Sequence, residues 1–230
     1  MAQLDYELMT TPNYPQLAAN FQQIATQAQS LVQQYQEQGT GGSPQLVSVT
    51  TAGAYSVALP SGATSVDCVL IGGGGGGGGY TSTGSGTAGG NTTASVTGAS
   101  TLTADGGAGG NNSTDGFGTS PSTADGKSAA TETYDSQMYA GGAGGAGSTT
   151  GAGLPGAAPG GGGGGGGLFG AYCGYGGAAG VWATETLTIS ELTGPITGTV
   201  GAGGAGGPAS EGTTSTGGNG ANGAAYFYFH

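Results

Sequence analysis

Hydrophobic positions along this chain change their period once, close to residue 44. Before that point Tyr14, Leu17, Phe21, Ile24, Ala28, Leu31 and Tyr35 recur at alternating spacings of 3 and 4. This is an uninterrupted coiled-coil seam. Asn13 ahead of Pro15 marks a helix start, and Gly39 marks a stop. The flanking positions are almost all Gln, Asn, Ala, Ser or Thr, so charge does not select a partner. The pattern predicts a helix within residues 1–40 that attaches or oligomerises the chain through Leu17, Phe21, Ile24, Ala28, Leu31 and Tyr35. An amphipathic helix lying on its own domain is the alternative.

After the linker 39–44 the period becomes that of strands. Residues 45–51, 54–59 and 64–71 alternate and are rich in Val, Thr and Tyr, with Ala52-Gly53 and Pro60-Ser61-Gly62 as turns. Toward the other end, residues 181–192 and 196–200 read as a hairpin across Thr193-Gly194-Pro195, and residues 224–229 read as a closing strand. The β frame is therefore expected to be split between 45–71 and 181–229. The intervening residues 80–180 show little strand character and read as a loop-rich insertion.

The first strand group empties into eight consecutive glycines, Gly72 to Gly79, and a near-copy follows at Gly160 to Gly167. Glycine loses more backbone freedom on ordering than any other residue, and ordering eight of them costs roughly 8–16 kcal/mol. Two arrangements are open to such a tract. It can be a flexible linker, or it can pack as extended polyproline-II-type strands, which have no internal hydrogen bonds and so can pair with close neighbours. The repetition of tracts between strand-like segments favours packing. The fold class expected is mostly β: a short N-terminal coiled-coil helix over 1–40, then a glycine-rich β-domain over 41–230, small and sandwich-like, with packed polyglycine strands and long loops.

Composition narrows the function classes. Glycine supplies 58 of 230 residues without a strict three-residue period along the whole chain, which excludes collagen. Large aliphatic residues are too few for an ordinary core over this length, and self-association is expected to make up the deficit. Twelve acids face one base, Lys127, for a net charge of −11. Nucleic acid and anionic membranes are thereby disfavoured as partners. No stretch reaches the length of a membrane-spanning helix, and the first residues lack the basic start and apolar block of a secretion signal.

Candidate chemistry is sparse. The single histidine, His230, is the last residue, where fraying is expected. Cys68, on a strand between Asp67 and Val69, is read as a small buried thiol, with a disulfide to Cys173 as the alternative. Asp105, Asp115, Asp125 and Asp135 recur at ten-residue spacing and read as turn residues rather than metal ligands. No enzyme activity, cofactor or metal is expected. Aromatic residues set among Ser, Gly and Asn have the composition of a binding surface. Tyr80, Phe117, Tyr134, Tyr139, Phe169, Tyr172 and Tyr175 are the candidate contact residues, while Trp182 is read as core.

The stretch AYSVALPSGATSVDCVLIGGGGGGGG, residues 54–79, resembles the entry to the glycine-rich domain of bacteriophage tail-fibre and tail-tip proteins. ITGTVGAGGAGG at 196–207 and GGNGANGAAYFYF at 217–229 resemble that family's closing pattern, in the same order. The resemblance implies a trimeric fibre, a β frame with packed polyglycine strands, and recognition of a bacterial surface receptor, a glycan or an outer-membrane protein, by loops at the tip. It further implies a virion location and attachment to other tail or baseplate proteins through the N-terminal region. The N-terminal region here is much shorter than in that family. A structural virion component without host contact and a glycine-rich ice-binding protein are the rival readings. Regular Gly-x-x repeats would favour the latter; they are absent from the sequence, and that reading leaves the heptad seam unexplained.

Overall fold

The computed structural model describes residues 44–80, 84–112, 124–168, 172–209 and 214–230. The predicted coiled-coil seam, with Leu17 through Tyr35, lies outside the described residues, as do Asp115, Phe117 and Phe169. Residues 43–230 form one compact unit.

The chain is mostly β, with antiparallel sheets. Twelve strands are present among the described residues: β1 (Gln45–Val49), β2 (Gly53–Val57), β3 (Ser65–Ile71), β4 (Thr92–Thr97), β5 (Leu102–Ala104), β6 (Glu132–Tyr134), β7 (Gln137–Tyr139), β8 (Gly167–Leu168), β9 (Tyr172–Cys173), β10 (Trp182–Thr188), β11 (Thr193–Val200) and β12 (Ala224–Phe229). Two four-stranded sheets, ordered β1-β12-β3-β10 and β2-β11-β4-β5, share one apolar core. Alternation along β3 sends Val66, Cys68 and Leu70 into that core. They meet Phe227 and Phe229 of β12, Val96 of β4, and Ile196 and Val200 of β11. The opposite side of β3 is covered by the β6–β7 hairpin, where Tyr139 packs on Tyr226 with ring centroids 5.1 Å apart. Trp182 Nε1 donates to the Ala130 carbonyl at 2.8 Å on that same side. The reading of Trp182 as a packing residue on a strand therefore holds.

Two expectations about the frame need correction. β10 and β11 do not form a hairpin. β10 pairs with β3, and β11 pairs with β2 and β4 in the other sheet. A 3₁₀ turn at Ile189–Glu191 and the buried Leu192 carry the chain across from one sheet to the other. Thr193-Gly194-Pro195 is part of β11 itself, where the register with β4 shifts between Thr193 and Thr197. Proline has no N–H for a ladder, so an irregular stretch of strand accommodates it. The frame is also not confined to 45–71 and 181–229, because β4 and β5 supply two of its strands from inside the expected insertion.

Beyond the frame, the glycine tracts are packed strands. Residues 72–79 donate hydrogen bonds outward with a period of three. Gly72, Gly75 and Gly78 bond to Val181, Ala178 and Tyr175; Gly73, Gly76 and Gly79 to Gly90, Thr87 and Gly84; Gly74 and Gly77 to Ala221 and Gly218. Their carbonyls accept from three further segments, as in Gly110 N to Gly76 O, Gly163 N to Gly75 O and Gly204 N to Gly74 O, each at 2.8 to 2.9 Å. A three-residue period with no internal bonds is the signature of the polyproline II helix. The tract thus has six neighbours, three antiparallel and three parallel.

Residues 160–166 also have six neighbours, two parallel and four antiparallel, and the pairings place the segments in three rows. The middle row is 84–90, 72–79, 160–166 and 141–148; one flanking row is 105–111, 174–181 and 124–130; the other is 201–207, 215–222 and 151–157. At about 3.1 Å per residue, an eight-residue tract runs some 25 Å from the frame. The deficit of apolar side chains is met inside one chain, by backbone packing, so self-association is not needed to supply this unit's interior.

Side chains explain which rows tolerate what. A Cβ on any of Gly72 to Gly79 would stand inside the 3.0 Å that real Cβ atoms keep, against backbone of 105–111, 160–166 or 201–208 in rotation. Two outer segments, 105–111 and 201–208, instead repeat x-Gly-Gly, with Asp105, Ala108 and Asn111, and Ala202, Ala205 and Pro208, exposed beside glycine pairs. The three-residue repeat expected to be absent from the chain is present in these two segments. Polar residues at the open positions satisfy neighbouring N–H groups. Asn222 Oδ1 accepts from Gly203, Asn219 Oδ1 from Gly206, Asn91 Oδ1 from Gly106 and Asp125 Oδ1 from Gly147. Asp105 and Asp125 accordingly sit on packed segments rather than in turns.

Candidate functional site

The direction of each segment gives the bundle two distinct ends. Residues 72–79, 105–111 and 201–207 leave the frame directly after β3, β5 and β11, while 84–90, 174–181 and 215–222 return directly to β4, β10 and β12. The near end therefore carries the frame. At the far end, Gly79 N bonds Gly84 O, Tyr80 N bonds Ser215 O, Gly167 N bonds Gly151 O and Tyr175 N bonds Asn111 O. The described ends of segments 72–79 and 84–90, 105–111 and 124–130, 141–148 and 151–157, 160–166 and 174–181, and 201–207 and 215–222 lie there.

The structure sorts the predicted aromatic residues between these ends. Tyr80 and Tyr175 stand at the far end, Tyr175 well exposed, and Tyr172 lies in β9 of the far-end hairpin. Phe117 and Phe169 lie outside the described residues, between segments whose described ends are there. Tyr134 and Tyr139 belong to the opposite end. Tyr139 is buried against Tyr226, and the Tyr134 hydroxyl is 2.9 Å from Thr186 Oγ1 on β10. Burial, then the nearby Asp67 carboxylate, pushes the Tyr139 hydroxyl pKa upward. These two tyrosines fasten the β6–β7 hairpin to the sheet, apart from the far-end aromatics. Spacing along the chain could not separate them from the far-end aromatics, because the bundle reverses direction after nearly every segment.

The thiols are equally well separated. Cys68 is buried in the sandwich core and Cys173 lies in β9 at the far end, and no disulfide joins them. Burial, reinforced by the Glu185 and Asp67 carboxylates, pushes the Cys68 thiol up to about 12. It stays protonated at neutral pH and faces away from the only imidazole. His230 is held rather than frayed. Its N–H donates to Ser65 O at 3.0 Å, and its carbonyl accepts from Thr64 N at 2.7 Å.

Residues 158–229 match the model of a family described as a glycine-rich domain. No curated protein matches the chain. The matched span runs from the second glycine tract through β12, and so includes β10, β11 and β12 of the frame and the segments 160–166, 174–181, 201–207 and 215–222. The glycines of its bundle segments are lattice positions. Gly163, Gly166, Gly204, Gly207 and Gly218 all lie where a Cβ would meet neighbouring backbone.

Proposed function

We propose that this protein is a virion adhesin at the tip of a bacteriophage tail fibre, binding a glycan or outer-membrane protein on the host surface without chemical conversion. The observation that carries the reading is the polarity of the bundle, with the frame at one end and the described ends of ten segments, with Tyr80 and Tyr175, at the other. A backbone lattice that leaves no room for side chains inside is a stiff support, and binding residues are favoured on loops held by a rigid scaffold. The order of the three sequence blocks that resemble tail-tip proteins supports the same reading. In it, the N-terminal seam joins three copies and attaches them to the tail or baseplate, and the frame faces the virion while the far end faces the cell. The excess of acids over the single lysine suits a particle that must not adhere to anionic lipid.

The test is binding of the labelled full chain to a panel of bacterial strains, with competition against phage adsorption. Saturable binding to particular strains is expected, together with reduced infection in competition. Tyr175→Ala is expected to weaken that binding about tenfold or more, since exposed aromatics are frequent binding hot spots. Tyr134→Phe, at the opposite end, is expected to leave it unchanged. Failure to bind a strain that the parent virion infects would leave a fibre cap or connector as the better reading.

A further inference from the structure

Where the β6–β7 hairpin meets the sheet, three ligand-type side chains converge from three separate elements. Asp67 comes from β3, Asp135 from the turn between β6 and β7, and His230 from the residue following β12. Their ligand atoms all lie within 4.8 Å of one another. His230 Nε2 is 2.8 Å from Asp67 Oδ2 and 3.6 Å from Asp135 Oδ2. An open hollow lined by these residues together with Ser65, Tyr134 and Thr186 leads to them from solvent.

Three features set this group apart from a chance surface cluster. First, the Asp67 side chain is only 2 % exposed, and burying a carboxylate is costly unless it is compensated. The chain has no arginine, and its one lysine, Lys127, lies on the glycine bundle. Compensation of Asp67 falls to the His230 imidazole and the Thr186 hydroxyl, while Asp135, with its side chain 60 % exposed, faces the same imidazole from the solvent side. A divalent cation held between them would supply the positive charge that no Arg or Lys brings to Asp67. Second, the ligands are oriented from behind. Thr186 Oγ1 donates to Asp67 Oδ1 at 2.6 Å, leaving Oδ2 to face His230, and the Tyr134 hydroxyl contacts Thr186 Oγ1 in turn. Such outer hydrogen bonds are the usual support of a metal ligand. Third, both supports of Asp135 are fixed. Asp135 and Ser136 adopt positive φ of 40° and 63° in the hairpin turn, and that hairpin is pinned by Tyr134 and Tyr139.

We propose that Asp67, Asp135 and His230 form a divalent transition-metal site of the zinc class. One imidazole nitrogen and two carboxylate oxygens favour zinc, nickel or copper over calcium or magnesium, which prefer all-oxygen shells. Ligand atoms bound to one tetrahedral zinc ion stand roughly 3.3 Å apart. The His230–Asp135 separation is already near that value, and the His230–Asp67 contact opens by about 0.5 Å to reach it. Three protein ligands leave one position for water or an outside donor. The ion would clamp the hairpin turn to the sheet at the end of the molecule opposite the proposed adhesive tip, so the site stands independently of the adhesin reading.

The test is titration of the tag-free full chain with zinc chloride, followed by calorimetry and native mass spectrometry, with calcium chloride in parallel. One zinc per chain is expected, with calcium at least tenfold weaker. Asp135→Asn, on an exposed turn, and His230→Gln are each expected to weaken zinc binding at least tenfold while the apo proteins melt as folded chains. Zinc is expected to raise the melting temperature of the unsubstituted chain only. No saturable zinc binding, or binding unaltered by both substitutions, would overturn the site and leave the group as a His–Asp ion pair.

Discussion

Gly76→Ala is expected to prevent folding of the glycine bundle. A Cβ at residue 76 would overlap the backbone carbonyl of Ala205. Ordinary overpacking is relieved by shifts of side chains or backbone at about 1–3 kcal/mol. Here neither is available. The obstructing atom is backbone, and Gly76 is held by its N–H to Thr87 O at 2.9 Å and by the Gly110 N–H on its own carbonyl at 2.8 Å. Moving residue 76 breaks bonds to one side, and moving Ala205 breaks its bond from Thr87 N. A loss above about 4 kcal/mol is expected, beyond the ordinary range of point substitutions. Circular dichroism and soluble yield would register it as failure to fold. The control is Ala108→Ser at an open position of a flanking row, expected to change stability by no more than about 0.5 kcal/mol. Equal tolerance at both positions would show that the tract is not packed as described.

The second large effect is expected at the other structural unit. Phe227 is fully buried between the two sheets and tilts against Tyr55 with ring centroids 5.7 Å apart. It sits on β12 opposite Cys68 of β3, in the middle of the only substantial apolar core among the described residues. Phe227→Ala removes that ring and leaves a cavity whose walls are strands, which collapse poorly, so about 3–5 kcal/mol is expected to be lost. Urea denaturation would measure it. Met138→Ala, at a side chain 77 % exposed on the β6–β7 hairpin, is expected to stay within about 0.5 kcal/mol. Because β3, β10, β11 and β12 lead straight into or out of the glycine bundle, loss of the frame should carry the bundle with it in one transition.

Much of this architecture was legible wherever a residue's role depended on its neighbours in sequence. Alternation marked β1, β2, β3 and β12 to within about two residues, and the glycine runs marked the two central strands. Three features escaped because their cause is tertiary. The x-Gly-Gly period is confined to 105–111 and 201–208, so it disappears when glycine is tallied over the whole chain. The Thr92–Thr97 strand shows its alternation only faintly, since Thr92, Ala94 and Val96 are small and flanked by Gly and Ser. Its buried Thr92 hydroxyl donates to Ile71 O at 2.7 Å and accepts from Gly201 N at 3.0 Å, tying frame to bundle. The apparent turn at Thr193-Gly194-Pro195 is a strand irregularity, which proline marks as readily as a turn.

The sites divide in the same way. Tyr80 and Tyr175 were identified from composition and do share one end, whereas Tyr134 and Tyr139 look identical in sequence and serve the hairpin. His230 and Asp67 are 163 residues apart, and neither has a neighbouring residue that signals a ligand. Only the pairing of β12 beside β3 brings them together. Pattern reading identified the scaffold, and topology assigned its two ends.

The measurement that most directly tests the account is amide hydrogen exchange across residues 73–78, followed by NMR on isotopically labelled protein. Every one of these amides donates a backbone hydrogen bond and every one is buried, so they are expected to exchange together and only through opening of the whole bundle. Rapid, uncoupled exchange, as in a solvated glycine linker, would contradict the lattice, and with it the rigid platform that the proposed adhesive role requires.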